Sequence, residues 1–150
     1  MTTETKPDIL IVDDDEGHTE LVRRNLRRLG ITNRVIALNN GGAALDYVFR
    51  NGPFASRENG HLLVLLDINM PGGVDGFEVL RRIKEDPEKR KILVIMLTTT
   101  DDPREVDACY ALGCNVYMTK PIDPTHFMEA LTRLGLFISV VSIAAEQKTA

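Results

Sequence analysis

Five short apolar runs, each stopped by polar residues and followed by a stretch of helical periodicity, constrain this chain more than any other feature. Ile9, Leu10, Ile11 and Val12 follow Asp8 and stop at three consecutive acids, Asp13, Asp14 and Asp15. Residues 34–38 form the second run, and residues 62–66 the third and most apolar, which stops at Asp67. Residues 92–97 form the fourth, ending in Thr98, Thr99 and Thr100, and residues 115–118 the fifth. Runs this short and rich in β-branched and aliphatic residues read as strands. Between and after them, residues 16–29, 43–50, 75–85, 103–112 and 124–134 read as helices. Their inward stripes include Leu21, Val22, Leu26 and Leu29, then Ala44, Tyr47 and Val48, then Phe77, Leu80 and Ile83. Gly30 and Gly113 stop the first and fourth. Asp15, Asp75, Asp102 and Asp123 stand at helix starts. Asp75 with Glu78, and Asp102 with Glu105, have capping-box spacing, and prolines follow Asp102 and Asp123. Residues 51–60 mix Gly, Pro, Ser, Asn and charges and read as an exposed loop.

Strands alternating with helices imply βαβ units with right-handed crossovers on a parallel sheet. Near-continuous apolar runs at the first, third and fourth strands fit strands covered on both faces. The expected fold is α/β: a flavodoxin-like (βα)5 three-layer sandwich on a parallel five-stranded sheet of order 2-1-3-4-5. Five strands favour it over the longer nucleotide-binding order. Residues 1–7 are expected to be a flexible N-terminus, 8–135 the domain, and 136–150 a C-terminal extension, apolar to about residue 143. In 150 residues this leaves no room for separate sensor and output domains.

A net charge of −4 argues against a nucleic-acid partner, which calls for a basic footprint. The N-terminus lacks the apolar core of a signal peptide, and no run approaches the roughly 20 residues that span a bilayer. No membrane partner is expected. Two cysteines, Cys109 and Cys114, make neither a disulfide framework nor a four-ligand zinc site. The expected location is cytoplasmic.

In the expected fold, Asp13, Asp14 and Asp15, then Asp67, Thr98 and Lys120, all follow strand ends on one sheet edge, where open α/β sheets bind ligands. Clustered carboxylates repel one another and invite a cation. Oxygen ligands without nearby His or Cys suit Mg²⁺ or Mn²⁺. A carboxylate is also a competent nucleophile that forms an acyl phosphate. A metal, an ammonium and a hydroxyl around Asp67 supply the positioning and charge neutralisation that phosphoryl transfer needs.

At these residues the chain resembles the receiver domain of two-component response regulators, over about residues 8–135. The resemblance rests on Ile-Leu-Ile-Val-Asp-Asp at 9–14, Leu-Leu-Asp-Ile-Asn-Met-Pro at 65–71, Asp-Gly-Phe at 75–77, Ile-Met-Leu-Thr at 95–98 and Tyr-Met-Thr-Lys-Pro at 117–121. It implies Asp67 as phosphoacceptor from a histidine kinase, with Thr98 and Lys120 on phosphoryl oxygens. It implies Asp13, Asp14, Asp67 and the backbone carbonyl of Asn69 as the metal site, with Asp14 more direct than Asp13. Tyr117 would be the switch aromatic, and Lys120–Pro121 a candidate cis peptide. The chain would assist its own phosphorylation and dephosphorylation without being a conventional enzyme, and would signal through protein contacts. Within the family it looks most like the stand-alone regulators that partner bacterial phytochrome kinases. The cues are the 51–60 loop, Leu97-Thr98-Thr99, the run from Cys109 to Tyr117 and the apolar C-terminal segment. One departure is that Pro71-Gly72-Gly73-Val74-Asp75-Gly76 is one residue longer than the usual spacing.

The apolar, β-prone residues 136–143 would be an aggregation hazard if exposed. Packing against a second copy, giving a symmetric homodimer, is expected, with packing on its own domain as the alternative. Two other functions compete. A Mg²⁺-dependent phosphohydrolase would use Asp13 as nucleophile with Asp15 two residues on, but little chain is left for a substrate cap. A flavin-binding electron carrier would need a phosphate-cradling loop after the first strand, where three aspartates stand instead.

Overall fold

The computed structural model describes residues 7–58, 60–70 and 72–133. In chain order these form β1 (Asp8–Val12), α1 (Glu16–Arg28), β2 (Val35–Leu38), α2 (Gly41–Phe49), a single 3₁₀ turn (Gly52–Phe54), β3 (Leu62–Asp67), α3 (Gly76–Glu85), β4 (Leu93–Thr98), α4 (Pro103–Ala111), β5 (Val116–Thr119) and α5 (Pro124–Arg133). All strand pairs are parallel, and the sheet order is β2-β1-β3-β4-β5. This is the expected fold. The expectations about residues 1–6 and 134–150 lie outside the described residues.

Alternation along the strands builds the two faces. Ile9, Ile11, Leu63, Leu65, Ile95 and Leu97 pack with Val22 and Leu26 of α1 and Phe127, Ala130 and Leu131 of α5. Leu10, Val12, Val64, Leu66, Val94 and Met96 pack on the other face with α2, α3 and Cys109 of α4. β3 is buried at every position, as a central strand covered on both sides must be. No helix among the described residues is long and apolar enough to cross a membrane.

Helix starts follow the caps. Asp15 accepts from the His18 amide at 3.1 Å, Asp75 from Glu78 at 2.9 Å, Asp102 from Arg104 at 2.9 Å and Asp123 from His126 at 3.0 Å. The reciprocal half of each expected capping box is absent. Glu78 pairs with Arg81 and Arg82, and Glu105 turns inward to Thr98. α2 starts two residues earlier than its apolar stripe implies, because Asn40 caps it by accepting from the Ala43 amide at 2.7 Å. In α3, Phe77 is only half-buried, and Val79 joins Leu80 and Ile83 inside. β5 begins at Val116 because Asn115 leaves the strand pattern. Its side-chain oxygen accepts from the Val94 amide at 2.9 Å and from Lys84 at 3.1 Å. The segment after α2 is anchored at Arg57, whose guanidinium lies 4.3 Å over the Tyr47 ring and donates to the Tyr47 carbonyl at 2.9 Å.

Candidate functional site

Strand register places the site. Val12 pairs with Leu66, so Asp13 and Asp67 sit side by side just past that pair. Asp67 pairs with Leu97 and Thr98 with Thr119, which brings Thr98 and Lys120 to the same edge. Carboxylate oxygens of Asp13, Asp14 and Asp67 all lie within 4.8 Å of one another. The backbone closes tightly under them. Gly76 donates its amide to the Ile68 carbonyl at 2.9 Å, and a Cβ on Gly76 would overlap the Asp67 carbonyl oxygen. The approach to α3 uses Gly72 and Gly73 at φ of +102° and +100°, a backbone region that favours glycine.

The carboxylates are not equivalent. Asp13 is 2% exposed, and all its acceptor capacity is engaged. Oδ1 accepts from the Asp15 amide at 2.9 Å and from Lys120 at 3.1 Å, and Oδ2 contacts His18 Nδ1 at 2.7 Å and Lys120 at 3.0 Å. Burial works against its charge, but these hydrogen bonds and the lysine charge outweigh it and hold Asp13 below the usual carboxylate value. Asp67 is also buried, yet among the described residues its carboxylate meets only Lys120 at 3.2 Å and, at a long 3.4 Å, the Asn69 amide. Burial pushes it up to about 6; Lys120 opposes that, and the Asp13 charge adds to it. Asp14 is exposed, as is Asn69. Burial alone would lower Lys120, but the two carboxylates hold its ammonium above the usual value. The Lys120–Pro121 bond is cis.

Thr98 reaches the edge but serves another partner. Fully buried, it donates its hydroxyl to Glu105 Oε1 at 2.8 Å and accepts from the Thr100 amide at 3.2 Å. Tyr117 is half-buried; its hydroxyl donates to the Thr100 carbonyl and lies 3.3 Å from the same Glu105 oxygen. Burial, with the nearby Glu105 charge, pushes its phenol above the usual value.

Two residues of the site escape a reading of the sequence. Glu105 looks like a capping-box partner there. His18 falls on the inward stripe of α1 with Val22 and Leu26, and that placement, one turn after the acids, is the available signal. Its Nε2 accepts from the Ile122 amide at 3.4 Å, which leaves the Nδ1 proton to donate to Asp13. Asn25 donates to the Ile122 carbonyl at 2.8 Å, so α1 grips both polar groups of Ile122, just past the cis proline.

Carboxylates converging with a lysine and a threonine at the ends of parallel strands can bind a divalent cation and carry a phosphoryl group. Known proteins share this sequence pattern and fold. Response regulator Rcp1 from Synechocystis is 36% identical over 122 residues, 80% of this chain and 82% of that one. Its Mn²⁺-bound structure superposes with a TM-score of 0.71 at 33% identity, covering 89% of this chain and 91% of that one. The bacteriophytochrome response regulator RtBRR superposes with a TM-score of 0.81 at 38% identity, covering 89% of this chain and 80% of that one. A family model, "Response regulator receiver domain", matches residues 9–132. With its sheet order and its acidic strand ends, the chain therefore belongs to the response regulator receiver domain family.

Proposed function

We propose that Asp67 accepts a phosphoryl group from the phosphohistidine of a histidine kinase, and that the phosphorylated domain signals through protein contacts. The observation that carries this is the asymmetry between the two buried aspartates. Asp13 is surrounded by donors and held as a fixed anion, while Asp67 keeps free lone pairs. In the step, an Asp67 carboxylate oxygen attacks phosphorus and forms the P–O bond of an acyl phosphate. The P–N bond breaks, and its electron pair stays on the kinase imidazole. Lys120 pairs with the charge on the incoming group, and the Thr98 hydroxyl is within reach of the same sheet edge. The engaged Asp13 is equally the reason to set aside a phosphohydrolase with its nucleophile after β1.

The donor set fits a hard divalent cation, Mg²⁺ in the cell: three carboxylates in close range, with the Asp67 carboxyl pushed up by burial and further by the Asp13 charge beside it. Asp14, Asp67 and the Asn69 carbonyl would hold it directly, with Asp13 behind them. When bound, it supplies charge neutralisation for the phosphoryl oxygens.

Similarity to the bacteriophytochrome response regulator RtBRR supports a bacterial phytochrome as the cognate kinase; a cytoplasmic setting and self-assisted chemistry rather than turnover of a metabolite belong to the same proposal. The homodimer is proposed to form through residues 136–143. Light scattering on a chain ending at Gly135 should give a smaller mass than the full chain, and equal masses would refute it. The central test is phosphotransfer from the kinase to Asp67→Asn. Loss of the label is expected, and label retained at the original rate would overturn the assignment.

A further inference from the structure

Thr98 carries one hydroxyl proton, and in the structure Glu105 holds it. Neither ordinary role of a first-turn helix glutamate explains that contact. Asp102 already caps α4, its side chain accepting from the Arg104 amide and its carbonyl from the Glu105 and Val106 amides. Nor is Glu105 in an ion pair among the described residues, whereas Glu78, Glu85 and Glu20, also on helices, pair with arginines. Its carboxylate instead ties the end of β4 to α4, and the same oxygen lies 3.3 Å from the Tyr117 hydroxyl on β5. The Thr98 hydroxyl is sealed from solvent, so it cannot satisfy a second anion through water.

We infer that Glu105 is a positioning residue that withholds the Thr98 hydroxyl from the phosphoryl group, so that phosphorylation must break the Thr98–Glu105 bond and thereby release the first turn of α4. This rests on Asp67 being the phosphoacceptor. A phosphoryl group adds close to two negative charges and three strong acceptors. It would compete with Glu105 for one proton and also repel its carboxylate. Both effects favour movement of Glu105 away from Thr98, together with loss of its contact to Tyr117.

The test is binding of beryllofluoride, a tetrahedral phosphoryl mimic, with saturating Mg²⁺, read by calorimetry on the full chain. Glu105→Ala removes the competitor and leaves the Thr98 proton free, so the mimic should bind about 10-fold more tightly, the size of one charge-assisted hydrogen bond. Glu105→Gln keeps an acceptor without the charge and should gain about 3-fold; it also covers a failure of the alanine variant to fold. In a Thr98→Ala background, Glu105→Ala should gain no more than about 3-fold, because the shared proton is gone and only the charge repulsion is relieved. A structural role in packing α4 would instead persist there. An unchanged or weaker affinity in both Glu105 variants, or an equal gain without Thr98, would overturn the inference while leaving Asp67 as phosphoacceptor. No binding of the mimic by the unsubstituted chain would overturn both.

Discussion

Replacing Asp67 with Asn should stabilise the metal-free protein at neutral pH, whereas the same change at Asp13 should destabilise it. The two carboxylates share Lys120, but their environments have opposite signs. Burial, opposed by Lys120 and reinforced by the Asp13 charge, pushes Asp67 up to about 6 from an ordinary 3.8. The folded state therefore binds more protons than the unfolded chain between about pH 4 and 6. Stability falls as pH rises through that window and stays reduced above it. About two pKa units correspond to roughly 3 kcal/mol, which is an upper bound because the amide interacts with Lys120 less well than the carboxylate does. A net gain of about 1–3 kcal/mol is expected, or roughly 2–10 °C in melting temperature for a domain this size. Asp13 is shifted the other way: burial disfavours its charge, but His18, the Asp15 amide and Lys120 more than compensate. Its contribution is present above about pH 4 and is lost as pH falls below that. Asp13→Asn leaves Lys120 and His18 without a buried anion, which should cost about 3–5 kcal/mol.

The chain has no tryptophan, so urea unfolding is best followed by far-ultraviolet circular dichroism, with EDTA present. Measurements at pH 7.5 and 5 separate the two effects, since the advantage of Asp67→Asn should shrink at the lower pH. Mg²⁺ at 100 times its dissociation constant should stabilise the unsubstituted chain by about 2.7 kcal/mol and close most of the gap to Asp67→Asn. If Asp67→Asn is as unstable as Asp13→Asn in EDTA, the proposed asymmetry of the site is wrong.

Other consequences are open to test. His18→Leu should weaken Mn²⁺ binding by about 10-fold in calorimetry by freeing Asp13 to rotate, and His18→Asn, whose amide can replace Nδ1, should recover part of that. Gly76→Ala should cost about 1–3 kcal/mol in urea unfolding, because the new methyl must displace backbone at Asp67 and Ile68; a neutral result would show that the turn yields freely. Burial pushes the Cys109 and Cys114 thiols up to about 11 and 12, so iodoacetamide at pH 8 should label neither until the chain is unfolded.

The fold was legible because strand and helix periods alternate without interruption and each apolar run is stopped by polar residues. Boundaries shifted where one side chain outranked the pattern: Asn40 drew Gly41 and Gly42 into α2, and Asn115 shortened β5. The anionic half of the site was equally legible, since acids at the ends of neighbouring strands must converge in this topology. His18 and Glu105 were not. A histidine on an apolar stripe and a glutamate three residues past a helix cap both have local explanations, and only the packing of α1 and α4 on the sheet decides which explanation holds.

That division has a physical basis that bears on signalling. Sheet register brings Asp13, Asp67, Thr98 and Lys120 together, whereas His18 and Glu105 reach them from helices. Register is difficult to change, because a one-residue slip reverses every side chain on a buried strand. Helices on the faces of a sheet can shift by small amounts. His18 ties α1 to an aspartate that remains an anion throughout, so α1 has no reason to move. Glu105 ties α4 to the one hydroxyl whose preferred acceptor would change on phosphorylation. A group arriving at Asp67 thus acts unequally on the two helices, and α4 is the element from which a signal would leave.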